Sequence, residues 1–243
     1  MRLRHDDLLA AARVQEIHEG DVAALGGMLS AHPGLAAARL DGARGGARTP
    51  LLAAPDWPGF LPNGARVVAA LIAAGAHVHD RGEGNDGRQG SETPLHWAAS
   101  SDDADVAAAL LDGGADIEAP GGSIGTPLAN AVGYGCWQVA RLLVDRGARV
   151  EALWVAAGLG LMSAVEAFCE AAPGPSPEDV NDAFWQACHG GQPRAAAYLR
   201  ARGADLQWVP RYAREPPLAV ARGKATRWGI LTDWLQKQGA TSG

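Results

Sequence analysis

Thr93-Pro94-Leu95-His96-Trp97-Ala98-Ala99 is the stretch on which the reading of this chain turns, because its opening returns 33 residues later at Thr126-Pro127-Leu128. A fixed period of roughly 20–50 residues marks a chain built from stacked units, each too small to bury its apolar face alone. The opening itself has the chemistry of a helix start. A threonine oxygen at the N-cap can accept an orphan backbone N–H, and proline at the first helical position has no needed N–H to lose. Downstream of both openings an apolar run closes on Gly-Ala: Leu110-Leu111 before Gly114-Ala115, and Leu142-Leu143 before Gly147-Ala148. Glycine there supplies the left-handed residue that ends the second helix.

The same two anchors can be followed in both directions. An earlier unit opens at Thr49-Pro50-Leu51 and closes through Val67, Val68, Leu71 and Ile72 at Gly75-Ala76. Its first helix is interrupted by Pro55, Pro58 and Pro62, which cannot continue a helix, so this segment reads as an inserted loop. Before it, Asp6–Glu19 and Val22–Ala31 read as a helix pair without the Thr-Pro opening, as expected of an end unit. Beyond Val150, Leu153-Trp154-Val155-Ala156-Ala157 enters the next helix with almost no connecting segment. Its second helix, 164–171, runs into a proline-rich connector, Pro173-Gly174-Pro175-Ser176-Pro177. Phe184-Trp185-Gln186-Ala187-Cys188 repeats the slots once more, with Asp182 expected as N-cap in place of threonine. A last unit runs from Pro217-Leu218-Ala219-Val220 to Trp234-Leu235 and Gly239-Ala240.

The T-P-L-H-x-A-A opening, its 33-residue period and the Gly-Ala close resemble ankyrin repeats. The resemblance implies an all-α ankyrin-repeat solenoid of about seven helix-turn-helix repeats with short β-turn fingers. It covers nearly the whole chain, so 1–243 is expected to be a single ankyrin-repeat domain. Within it, 1–40 would be an N-terminal cap and 41–150 the regular repeats, with insertions at 55–63 and 81–90; 151–207 would be divergent repeats and 208–243 a C-terminal cap. The polar, glycine-rich 81–90 segment is expected to be a mobile finger tip. In the family the histidine of the opening is structural and bonds the neighbouring finger backbone. Trp154 and Trp185 hold that slot in the divergent repeats, which favours a structural role for both over a ligand cage.

Composition excludes several classes of function. The net charge is −6 and the basic residues are scattered, which argues against nucleic acid as partner. No run of about 18 uninterrupted apolar residues is present to span a membrane. The start turns acidic within seven residues, unlike a secretory signal, so a cytoplasmic protein is expected. Abundant Ala, Gly and Arg with scarce Lys suggest a GC-rich, bacterial source. The three cysteines lie at unrelated spacings, and His77-Val78-His79 lacks a third ligand, so neither disulfides nor a metal nor another cofactor is expected. Asp102 and Asp103 read as a charged turn, and Cys188 beside His189 points about 100° away from it on a helix, so neither pair makes a catalytic dyad. There is no phosphate loop, nucleophile elbow or HExxH, and hence no catalytic residue to name.

In ankyrin families a partner usually meets the concave face, built from finger tips and the exposed side of each first helix. Carried over by position, that face would include Glu92, Ser100, Ser101, Tyr134, Leu159 and His189, with Trp57 and Phe60 projecting from the insertion and Trp154 and Trp185 in the histidine slot. The strip is apolar and aromatic with few charges, the composition of an interface centre. A protein- or peptide-binding scaffold is therefore the expected function. The alternative is a small-molecule site or a repurposed enzyme in a cleft near Trp154, Trp185, Tyr134 and His189.

Overall fold

In a computed structural model, described here for residues 1–43, 45–56, 58–84, 90–223 and 225–242, the chain forms two compact units, Met1–Ala148 and Arg149–Gly243. The first contains β1 (Arg2–Leu3), α1 (Leu8–Glu19), α2 (Val22–Ala31), β2 (Arg39–Asp41), β3 (Ala47–Arg48), α3 (Pro50–Ala53), α4 (Gly64–Ala73), α5 (Pro94–Ser101), α6 (Ala104–Asp112), α7 (Pro127–Gly133) and α8 (Trp137–Asp145). The second contains α9 (Leu153–Leu159), α10 (Met162–Glu170), α11 (Pro177–His189), α12 (Pro193–Arg200), α13 (Pro217–Val220) and α14 (Thr226–Lys237).

The helices pair antiparallel through short turns, and each pair packs on the next: α3 against α5 and α5 against α7, with α2, α4, α6 and α8 forming the second row. What joins them is the apolar pattern of the repeat. Leu51, Val67, Leu71, Leu95, Val106, Leu110, Val139 and Leu143 are completely buried. Each such side chain contributes about 1.5–3 kcal/mol when fully withdrawn from water. The alanines of the opening, Ala98 and Ala99, are equally buried and let α5 approach its neighbours closely. In the second unit the same slots build a core from Ala156, Ala157, Ala183, Phe184, Ala187, Cys188, Leu199 and Leu231. The buried Cys188 is a packing residue whose thiol pKa is pushed well up by burial.

The Gly-Ala close behaves alike in five units. Gly75, Gly114, Gly147, Gly203 and Gly239 all have φ between 89° and 95°, a conformation that penalises a Cβ. The next residue then reaches back five positions along the helix end, as in Ala115 N–H to Leu110 O at 2.9 Å and Ala148 N–H to Leu143 O at 2.9 Å. This closing motif satisfies carbonyls that the helix itself leaves open.

Departures from the expected layout have local causes. The helix expected to be capped by Asp182 is capped six residues earlier, by Ser176, and starts at Pro177. Ser176 caps it, accepting the Asp179 N–H at 3.2 Å while the Asp179 carboxylate accepts the Ser176 N–H at 2.9 Å, a reciprocal capping box. Asp182 instead sits within the helix and accepts the Trp208 indole N–H at 2.8 Å. Thr126 caps α7 through the Ala129 N–H, whereas the hydroxyl of Thr49 is buried with no hydrogen-bond partner among the described residues and α3 lasts only four residues. Pro55 and its neighbours end that helix as expected, and the chain re-enters helix only at Gly64. The insertion does not hang free: Asn63 donates to Gly20 O at 3.0 Å, and Phe60 N–H to the Asp103 carboxylate at 2.7 Å.

Unforeseen in the sequence is a small sheet, β1-β2-β3, with Leu3 beside Leu40 in parallel and Leu40 opposite Arg48 in antiparallel register. The base of the 81–90 segment joins it through Ala47 and Glu83, whose backbone N–H and C=O groups pair both ways. Glu83 also pairs with Arg2 at 3.1 Å and Arg39 at 3.4 Å. The base of this segment is therefore anchored, not mobile; its tip, 85–89, lies outside the described residues.

Candidate functional site

The opening motif builds the first half of the site. Thr93 starts α5, its N–H donating to His96 Nδ1 at 3.2 Å, and the opposite ring nitrogen, Nε2, reaches Gly125 O at 3.1 Å. An imidazole that accepts at Nδ1 must carry its proton at Nε2, so this buried ring is the neutral tautomer. Burial lowers its pKa below the ordinary histidine value. His96 thus ties the start of α5 to the segment that precedes α7.

That segment carries a second set of bonds. Glu92 accepts the Ser123 N–H at 3.0 Å and the Asn130 side-chain N–H at 3.1 Å. Asn130, fully buried, accepts the Ile124 N–H at 3.0 Å. The Ser123 hydroxyl meets the Tyr134 hydroxyl at 3.0 Å. Tyr134 is nevertheless 52% exposed, so an aromatic ring is held on the surface by its polar end. Beside this network a cavity of about 180 Å³ is walled by Pro55, Asp56, Glu92, Trp97, Ser100 and Ser101. The structure therefore brings Glu92, Ser100 and Ser101 into one depression and links Glu92 to Tyr134 through Ser123.

Phe60 goes elsewhere. It is 64% exposed but lines a different hollow of about 410 Å³ with Leu61, Asn63, Arg66, Asp103 and Asp105, at the turn between the first and second helices. Trp57 lies outside the described residues. Asp102 and Asp103 are structural, as their reading as a turn implied. Asp102 accepts the Gln138 and Val139 N–H groups at 2.9 and 3.0 Å, capping α8, whose own N-cap residue, Cys136, makes no side-chain cap. Asp103 caps α6 through the Val106 N–H at 3.1 Å. Sequence reasoning missed the capping of α8, because the carboxylate comes from the preceding repeat.

Within the second unit Trp185 is buried, and its indole N–H donates to Glu215 O at 2.8 Å. This matches what His96 does in the first unit: a ring N–H from the same slot of the repeat motif bonds a backbone carbonyl of the next repeat's entry, although Trp185 lies nine residues into α11. The indole is thereby engaged, which supports the structural role over a ligand cage. The ring lies 5.1 Å from the His189 ring and meets Tyr212 edge-on at 5.8 Å. His189, the last residue of α11, has its pKa lowered by burial. Trp154 is half-buried against the second unit's core, and Leu159, ending α9, is half-buried. Tyr134 belongs to the first unit and Trp154, Trp185 and His189 to the second.

Among the described residues no group of three His, Cys, Asp or Glu is placed to hold a metal, and His77 and His79 are both exposed. Among them, too, no helix is long and apolar enough to cross a membrane.

These features have counterparts among known proteins. A family model of ankyrin repeats (three copies) matches residues 61–153. The crystal structure of the human ASB11 ankyrin repeat domain is similar to this chain, with a TM-score of 0.51 and 19% sequence identity, covering 98% of this chain and all of that one. No curated protein matches. Ankyrin repeats are in general protein-interaction scaffolds. The 33-residue period, the Thr-Pro openings and the glycine-closed helix pairs agree with both matches: residues 61–153 carry ankyrin repeats, and the chain has an ankyrin-repeat fold.

Proposed function

We propose that this protein is a binding scaffold that holds a peptide segment of a partner protein along the surface of α5 and α7, around Glu92, Ser100, Ser101 and Tyr134. The observation that carries this reading is the exposed Tyr134 ring, tethered by its hydroxyl to Ser123 beside the bonded Glu92. A surface aromatic whose rotamer is already restrained loses little entropy on binding, and tyrosine is enriched where interfaces draw their energy. The cavity beside it, about 180 Å³, is below the roughly 300–1,000 Å³ of sites that enclose a drug-sized ligand. It suits one side chain of a longer ligand.

Selection of peptides from a randomised display library on the immobilised full chain tests the proposal. Recovered peptides should lose about tenfold in affinity against Tyr134→Ala, roughly the 1.4 kcal/mol of a modest interface anchor. Recovery of no saturable binder, or binders indifferent to Tyr134→Ala, removes this placement. Because Tyr134 is exposed, its replacement should leave the melting temperature nearly unchanged, so lost binding would not be lost folding.

A further inference from the structure

We infer that the depression between Glu92 and Trp97 is a receptor for an arginine side chain carried by the bound peptide, an assignment that rests on the peptide-scaffold reading above. The argument starts from which hydrogens the walls have already spent. The Ser100 hydroxyl donates to His96 O at 2.9 Å, and the Ser101 hydroxyl donates to Trp97 O at 3.1 Å. A serine that has given its proton to its own helix presents only lone pairs to a visitor. Glu92 is acceptor-only when ionised, and so is Asp56. Trp97 apart, the polar side chains that wall the cavity offer acceptors, although the Ser100 hydroxyl already takes an Asn130 side-chain N–H at 3.4 Å.

The charges differ in how they are answered. The Asp56 carboxylate is paired with the Arg48 guanidinium on the rim. Glu92 is half-buried and bonded only by neutral donors, the Ser123 N–H and the Asn130 amide; among the described residues no cation pairs with it. Both bonds go to the same oxygen, Oε1, so the bonds given for Glu92 leave Oε2 to a ligand. A half-buried carboxylate is a stronger lure for a cation than an exposed one, because solvent screens it less.

Shape and aromatic surface narrow the cation. About 180 Å³ admits one long side chain. A guanidinium has five donors in a planar fork, can bond a carboxylate, and stacks on an aromatic face such as that of the half-buried Trp97. An ammonium could satisfy the carboxylate but offers no plane to lay on the indole. The net charge of −6 favours the approach of a basic segment from a distance.

The test uses the full chain, labelled with nitrogen-15 and followed at the Trp97 indole N–H. It is titrated with N-acetyl-arginine amide and with the citrulline amide, which keeps the shape but not the charge. The arginine compound should give a saturable shift, and citrulline should bind at least about tenfold more weakly, as loss of a charge-assisted contact predicts. Glu92→Gln keeps an oxygen to accept from Ser123 and Asn130 while removing the charge. It should weaken arginine by about the same factor with an unchanged melting temperature. Equal binding of citrulline, an unaffected Glu92→Gln variant, or no shift at Trp97 overturns the assignment.

The peptide selection separates this failure from that of the scaffold reading. Peptides that depend on Tyr134 but carry no arginine and ignore Glu92→Gln would sink the arginine receptor and leave the scaffold standing. Arginine amide binding without any recoverable peptide would do the reverse.

Discussion

In the first unit the motif slot at the third position of α5 is a histidine; in the second the same motif slot, nine residues into the longer α11, is a tryptophan. Both send a ring N–H across to a backbone carbonyl of the following segment, His96 to Gly125 at 3.1 Å and Trp185 to Glu215 at 2.8 Å. The slot therefore demands a ring donor at a given reach more than it demands an imidazole. What differs is the other edge of the ring. The imidazole also accepts from Thr93 N–H, closing its own helix start, whereas the indole has no second nitrogen and instead packs on His189 and Tyr212. One ring organises a turn by hydrogen bonds and can titrate; the other does so with apolar area and cannot.

Variants can break this comparison, beginning with the largest effect. Trp185→Ala should destabilise the second unit by about 3–5 kcal/mol, since it removes a large buried ring and leaves a cavity. Trp185→Phe, which deletes chiefly the N–H donor, should cost only about 1–2 kcal/mol. Denaturant midpoints measure both. If the two variants are equally destabilised, the hydrogen bond and not the packed area holds that slot.

His96→Ala should cost about 2–3 kcal/mol, because the Thr93 N–H and Gly125 carbonyl both lose a buried partner. The histidine also makes the comparison pH-sensitive. Its folded pKa is lowered by burial, so the unfolded chain takes up the proton first. Stability is then complete above the unfolded value of 6.5 and is lost as pH falls towards and through the lowered folded value. His189 is shifted in the same direction and adds to the loss. Melting temperature followed from pH 7 downward should fall, and His96→Gln should flatten part of that slope. A slope unchanged in His96→Gln would place the acid sensitivity elsewhere.

A smaller effect sharpens how repeats are joined. Asp102→Ala removes the carboxylate that caps α8 from the preceding repeat and should cost about 1 kcal/mol, typical of an N-cap. Asp102→Asn should recover most of it, because the amide oxygen still accepts. If both variants match the parent in thermal unfolding, the cap contributes nothing measurable.

Much of the fold was legible because its determinants are local. A helix opened by Thr-Pro and another closed by Gly-Ala can be read from neighbouring residues, and the three prolines of the insertion end α3 where expected. Even the misplaced start of α11 was present locally, in Ser176-Pro177-Glu178-Asp179. The register of the neighbouring repeats pointed to Asp182 and hid that capping box. Two- and three-residue strands carry no period to detect, so β1, β2 and β3 escaped. Among the site residues, Glu92, Ser100 and Ser101 do meet in one depression, while Phe60 lines another hollow, because the Asp103 carboxylate holds its N–H at the turn.

Taken alone, the sequence determined the repeat and the class of residue in most slots, since these follow from capping chemistry and apolar period within about a dozen residues. Tertiary structure decided which polar groups remain unanswered. Whether Glu92 meets a cation, whether Asp102 caps α8, and whether the indole of Trp185 is engaged depend on atoms some 30 or more positions away. Hydrogen bonds form across space, and only the packed chain brings those partners within reach.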